Sequence, residues 1–364
     1  MTESQLQTRA ALESKMEQAF TLQEKEKGVR GVDGTDEARR LFEEIVEACS
    51  AEPAMDPAQS ISLAARCNLA NLLHYMGETR TASKIYEEVI EGYTTEFGAD
   101  SIDTMDAKLN YALLLDETSS DKQAALEYLA EVEEGYVRHL GQNHARTLLA
   151  RMNIANIYSD IGRKAEAAAL SVEVLEGLSA SLGASHMVTL DAKLNAAIMV
   201  HEQGAHGQAE AMYAEVVAGR ITHLGAQHVD TYAAQLNLAN LKSEMGMRSE
   251  ARQLLEVVAE GYTSALGPAH ARTLRAEMNL AIVMMLQGDL EQARGKLALV
   301  AAAYRLMYGA EHDSTLGAEV NLAGCLQNMG RGEEARGLYG EVAARSAPHH
   351  SWFAEASTKG RGAP

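Results

Sequence analysis

Between Thr231 and Met245 the apolar residues Leu236, Leu238, Ala239, Leu241 and Met245 recur at helical spacing. Gly246 follows, as glycine does where a helix closes. From Ser249 a second run carries Ala251, Leu254, Leu255, Val258 and Tyr262 on one face and stops near Gly267. The pattern predicts two antiparallel helices joined by a tight turn, with the small Ala251 letting their axes approach closely.

The same pattern recurs. Asn68, Asn110, Asn153, Asn195, Asn237, Asn279 and Asn321 follow one another at steps of 42, 43, 42, 42, 42 and 42 residues. Nine residues after the Asn comes Gly77, Gly162, Gly204, Gly246, Gly288 or Gly330; fourteen after it comes Ala82, Ala124, Ala167, Ala209, Ala251, Ala293 or Ala335. A second signature joins the units, seen as LGQNHARTL, LGASHMVTL, LGAQHVDTY, LGPAHARTL and YGAEHDSTL. Its histidines are His144, His186, His228, His270 and His312, and the first junction has Ser101 in that place. A fixed period of this size means stacked helical units, each burying its apolar face only against its neighbours. Thr231 and its equivalents, or the preceding His or Asp, are candidates to cap the first helix of each unit. The second unit has Ser119 in place of the turn glycine and one extra residue, which is placed in the Glu117–Gln123 turn because turns absorb length better than helices.

The run NLANLLHYMGETRTASKIYEEV, Asn68 to Val89, resembles a tetratricopeptide repeat, with Ala70 and Ala82 at its small positions and Tyr86 at its aromatic one. The ordinary repeat has about 34 residues. The longer period, with G-x-x-H-x-x-T and N-L-A-x-x-x-x-x-x-G, is similar to the repeats of kinesin light chains and nephrocystin-3-type proteins, over roughly residues 33 to 346. The resemblance implies an all-α, right-handed superhelical α-solenoid of antiparallel helix pairs. It also implies a concave groove, lined by the first helices, that takes extended peptides.

Three segments follow. Residues 1–60 are expected to form an N-terminal capping helical pair, residues 2–27 and Thr35–Cys49, with the junction AEPAMDPAQS (51–60) after it. Residues 61–346 hold seven repeats, and 347–364 form a tail expected to be partly disordered, to cap the last helix, or to fold back into the groove as a self-ligand through Trp352 and Phe353.

Composition narrows the function. Only five Pro and 5% aromatic residues accompany a net charge of −19. Such a surface repels phosphate backbones and anionic lipid, so neither nucleic acid nor membrane is expected as partner. It suits a neutral or basic peptide segment. The three cysteines, Cys49, Cys67 and Cys325, form no close pair, which points to a reducing, cytoplasmic setting. No Gly-rich phosphate loop, G-x-S-x-G, CxxC or HExxH is present. The expectation is a non-enzymatic interaction scaffold without a cofactor. The alternative is a regulatory or cargo-adaptor module of a larger assembly with no groove ligand of its own.

Candidate peptide-binding residues lie on the first helices. Three residues after the recurring Asn stand Asn71, Asn156 and Asn240, alternating with Leu113, Ile198 and Ile282. An amide pairs with a peptide's N–H and C=O at once, so it holds extended backbone of any sequence. The recurring Asn68, Asn110, Asn153, Asn195, Asn237 and Asn279 either share that task or only bond neighbouring helices. Ile282, Met285 and Leu286 make one stripe apolar, read as a side-chain pocket or as closer helix packing. One turn on, Asp116, Glu117, Asp160, Glu202 and Glu244 favour a basic or neutral ligand. No metal site is expected. The five junction histidines lie about one helix pair apart, on the order of 10–20 Å, too far to share an ion whose ligands sit about 2 Å away. His201 and His206 lack the spacing of a metalloprotease helix, and Gly204 separates them.

Overall fold

The computed structural model describes residues 3–26, 32–51, 56–118 and 122–346, with Ala356, Thr358 and Lys359 of the tail. Sixteen helices and no strand are found among the described residues. The chain divides into two compact units, Met1–Ala192 and Lys193–Pro364.

In the first unit, α1 (Glu3–Glu26) packs on α2 (Val32–Ala51). Three further pairs follow: α3 (Asp56–Tyr75) with α4 (Thr79–Phe97), α5 (Ile102–Thr118) with α6 (Lys122–Leu140), and α7 (Ala145–Asp160) with α8 (Lys164–Leu182). Helix α9 (Met187–Glu202) spans the division. The second unit continues with α10 (His206–Leu224), α11 (Val229–Glu244), α12 (Arg248–Leu266), α13 (Ala271–Gln287), α14 (Leu290–Tyr308), α15 (Asp313–Asn328) and α16 (Gly332–Arg345). Each unit is a stack of antiparallel helix pairs whose buried apolar residues gather in successive clusters between neighbouring helices. The segment read as a ten-residue junction is shorter than its two prolines imply. Helix α3 already starts at Asp56, because Pro57 falls in the first turn, where a missing N–H leaves no intrahelical bond unmade.

The repeated residues explain the repeated geometry. Between the helices of six pairs, Gly246 and its equivalents Gly77, Gly162, Gly204, Gly288 and Gly330 take a left-handed conformation, φ between 77° and 95°. The residue after Gly246 then donates five positions back, Met247 N–H to the Lys242 carbonyl at 2.8 Å, closing α11. At the small position of the second helix, Ala82, Ala125, Ala167, Ala209, Ala251, Ala293 and Ala335 are all buried, none more than 2% exposed. In the second repeat the buried residue is Ala125 and not Ala124. Helix α6 starts twelve residues after Asn110, whereas α8 starts eleven after Asn153, so the extra residue lies ahead of α6, as expected of a turn insertion.

The junction signature divides its work between His and Thr. The imidazole Nδ1 of His144, His186, His228, His270 and His312 accepts the N–H two residues on, at 3.1–3.2 Å. The histidine is therefore the cap. The Thr hydroxyl turns back and donates to the junction glycine carbonyl, as Thr231 does to Gly225 at 2.9 Å. Ser101 substitutes for the histidine by accepting the Thr104 N–H at 3.2 Å.

A further recurrence is plain only in three dimensions. Gly92, Gly135, Gly177 and Gly261 sit inside second helices, where a Cβ would lie within 3 Å of Leu63, Met105, Leu148 and Tyr232 of the paired first helix. These glycines let bulky first-helix side chains lie flat against the second-helix backbone. Trp352 and Phe353 lie outside the described residues. Nearby, Ala356 is buried with Leu316, Val320, Tyr339 and Val342 of α15 and α16.

Candidate functional site

The first helices bring the candidate asparagines onto a common face of each unit, all half-buried. Several have protein partners. Asn71 Oδ1 accepts the Tyr86 hydroxyl, and Asn68 Nδ2 donates to the Ala64 carbonyl at 2.8 Å. Asn110 Nδ2 lies 4.0 Å from Cys67 Sγ. Asn279 Nδ2 donates to Asn240 Oδ1 at 2.8 Å, tying α13 to α11. Asn153, Asn156 and Asn195 occupy the equivalent half-buried positions on α7 and α9. Ile282 is half-buried, Met285 packs on the core of α11 to α14, and Leu286 is exposed.

The acidic turn of this face is partly neutralised from within. Lys122 Nζ reaches Asp116 at 2.7 Å and Asp160 at 3.1 Å. Burial disfavours its charge, but the two carboxylates outweigh that and hold it above the usual lysine range. His74 Nε2 lies 2.8 Å from Glu117, and His201 Nε2 lies 2.9 Å from Glu244. Both pairs join the first helices of successive repeats, 43 residues apart.

In the second unit this face hollows into a depression of about 460 Å³ between α9 and α11, lined among others by Ile198, His201, His206, Tyr213, Asn237 and Asn240. Ile198 supplies an apolar wall and the two amides supply donors and acceptors, while Glu202 and Glu244 add negative charge at the rim. Tyr213 is buried beneath, its phenol pushed above the usual range by desolvation and then by Glu202 and Glu244. Sequence spacing pointed to Asn237, Asn240 and Ile198. It gave no sign that His206 returns across the Gly204 turn to face His201, their rings 5.7 Å apart at 82°.

Residues 62–103, 147–186, 189–230 and 231–272 match the tetratricopeptide repeat family. A crystal structure of kinesin light chain-like, nearly identical repeats from Podosopora anserina aligns at 27% identity and TM-score 0.50, over 57% of this chain and 97% of that one. Across almost the full length the fold also matches a Rap protein complexed with Competence and Sporulation Factor (11% identity, TM-score 0.56, 97% of each chain). It matches the apo quorum sensor NprR from B. thuringiensis as well (16% identity, TM-score 0.55, 97% of this chain and 98% of that one). No curated protein matches the sequence significantly. Four segments of the chain thus match tetratricopeptide repeats, and its all-α repeat fold is similar to that of the kinesin light chain-like structure. No helix among the described residues is long and apolar enough to cross a membrane.

Proposed function

We propose that the chain is a non-enzymatic scaffold that grips an extended peptide segment of a partner protein along the face formed by the first helices. The observation that carries this reading is the α9/α11 depression, where Asn237 and Asn240 stand beside Ile198. Amides there hold peptide backbone, and the aliphatic wall takes a side chain. Asn71 and Asn156 offer the same chemistry in the first unit. The acidic rim and the net charge of −19 favour a neutral or basic segment in an aqueous, cytoplasmic setting. A neighbour of the same fold, the Rap protein, was solved complexed with Competence and Sporulation Factor, which supports ligand binding as a use of the architecture.

The test is a pull-down from native lysate with mass spectrometry, comparing wild type with the Asn71→Ala/Asn156→Ala/Asn240→Ala variant. Asn71 and Asn240 also bond Tyr86 and Asn279, so circular dichroism and thermal melting must first show both proteins folded. Proteins captured by wild type and lost by the variant support the groove. Identical captures overturn it and move binding to the second-helix face or the tail.

A further inference from the structure

We propose that His201, His206 and Glu244 form a site for a divalent transition-metal ion of the zinc class, set in the wall of the α9/α11 depression. Their ligand atoms all lie within 4.8 Å of one another. His201 lies in the last turn of α9 and Glu244 ends α11, one repeat later, while His206 opens α10 across the intervening turn. Three segments thus converge on one point.

Two imidazoles and one carboxylate are the donor set that zinc and its neighbours take, at bonds of about 2.0–2.2 Å. Tetrahedral placement at those bond lengths spaces ligand atoms about 3.3–3.5 Å apart. His201 Nε2 and Glu244 Oε2 stand at 2.9 Å, within hydrogen-bond distance. An ion takes the place of the hydrogen between them, which moves through solvent to Nδ1, so the imidazole stays neutral with one N–H. His206 then closes the triangle by a side-chain rotation, which its place at a helix start permits. Three protein ligands leave a fourth position open, and it faces the depression bounded by Ile198, Tyr213 and Asn240.

The first unit holds a built-in comparison. His74 and Glu117 make the same inter-repeat pair at 2.8 Å, but the position five residues after His74 is Thr79. A structural hydrogen bond between repeats therefore needs only two residues. The third donor is what distinguishes the site at 201, 206 and 244. The inference stands on this cluster and does not depend on the peptide-groove reading.

The test uses full-length, tag-free protein freed of metal by chelation and dialysis, with His349→Ala/His350→Ala in the background to remove the doubled tail histidines. Zn²⁺ is titrated by calorimetry, and Co²⁺ is added as a spectroscopic probe of coordination. One ion per chain is expected, with the visible bands of tetrahedral cobalt. His206→Thr copies the first-unit arrangement, in which Thr79 likewise opens the second helix, and circular dichroism checks that the fold is kept. It is expected to weaken binding by more than the ~10–100-fold typical of losing an outer-shell partner. Glu244→Gln is expected to do the same, whereas His74→Ala is expected to change nothing. Absence of binding by the parent protein, or equal affinity in the parent and His206→Thr proteins, overturns the site.

Discussion

The Thr231 hydroxyl donates to the carbonyl of Gly225, six residues back, at 2.9 Å. The same lock joins Thr104 to Gly98, Thr147 to Gly141, Thr273 to Gly267 and Thr315 to Gly309, at 2.8–2.9 Å. It fixes the angle at which one repeat hands over to the next. Thr231→Val keeps the shape of this buried side chain and removes the bond, at a cost of about 1 kcal/mol. Amide exchange over residues 225–235 is expected to rise while the junction around Gly267 stays protected. Thr189 makes only a 3.4 Å contact with the Leu178 carbonyl, so Thr189→Val is expected to cost less.

Two glycine substitutions are expected to act in opposite directions. A Cβ at Gly261 would fall 2.1 Å from the Tyr232 ring, so Gly261→Ala forces α11 and α12 apart. Overpacking of this kind costs about 1–3 kcal/mol, more than the roughly 1 kcal/mol that alanine contributes to a helix. Gly295, inside α14, has open space where the Cβ would be, and Gly295→Ala is expected to stabilise by about 0.5–1 kcal/mol. Urea midpoints that move the same way for both would contradict this.

Buried tyrosines set an alkaline limit. Burial pushes the phenols of Tyr86, Tyr93, Tyr136 and Tyr213 above their ordinary range. A folded-state pKa above the unfolded one means that the stabilisation is fully present below about pH 10 and is lost as pH rises past that value. Phenolate absorbance is therefore expected to lag behind that of free tyrosine, then rise together with the loss of helical circular dichroism. Smooth titration near pH 10 with helicity intact would show these rings to be solvated.

The last repeat depends on one carboxylate. Glu319 is 3% exposed and lies between Arg305, at 2.5 Å, and Arg345. Arg345 also donates to the Ala310 carbonyl at 2.7 Å, so the network ties α14 and α16 to α15. Removing the charge with Glu319→Gln leaves two guanidinium groups facing each other, at a cost of about 3 kcal/mol. Limited proteolysis is expected to open the chain beyond Asp313 first.

The repeat architecture was legible because its period is carried by residues whose roles are local. Gly246 closes its own helix, and Ala251 is small whatever faces it. The choice between His and Thr as cap was not legible, since both residues offer an acceptor and only coordinates show which one points forward. Gly135 and Gly261 were missed for a different reason. Their purpose lies in Met105 and Tyr232, some thirty residues earlier in sequence. Asn240 and Asn279 stood out as periodic residues, yet their mutual bond crosses repeats and leaves no mark in either repeat alone. His201 and His206 were set aside as metal ligands because Gly204 separates them, and nothing in the sequence shows that Glu244, a whole repeat later, stands beside both.

The central claim is that the first-helix face holds the partner. Its most direct test is photo-cross-linking in cells with a photoreactive amino acid in place of Glu202, at the rim of the α9/α11 depression, or in place of Leu306, 91% exposed on α14. Capture of a discrete protein from position 202, with little or none from 306, is the expected result. Capture from 306 alone, or equally from both positions, would contradict the claim.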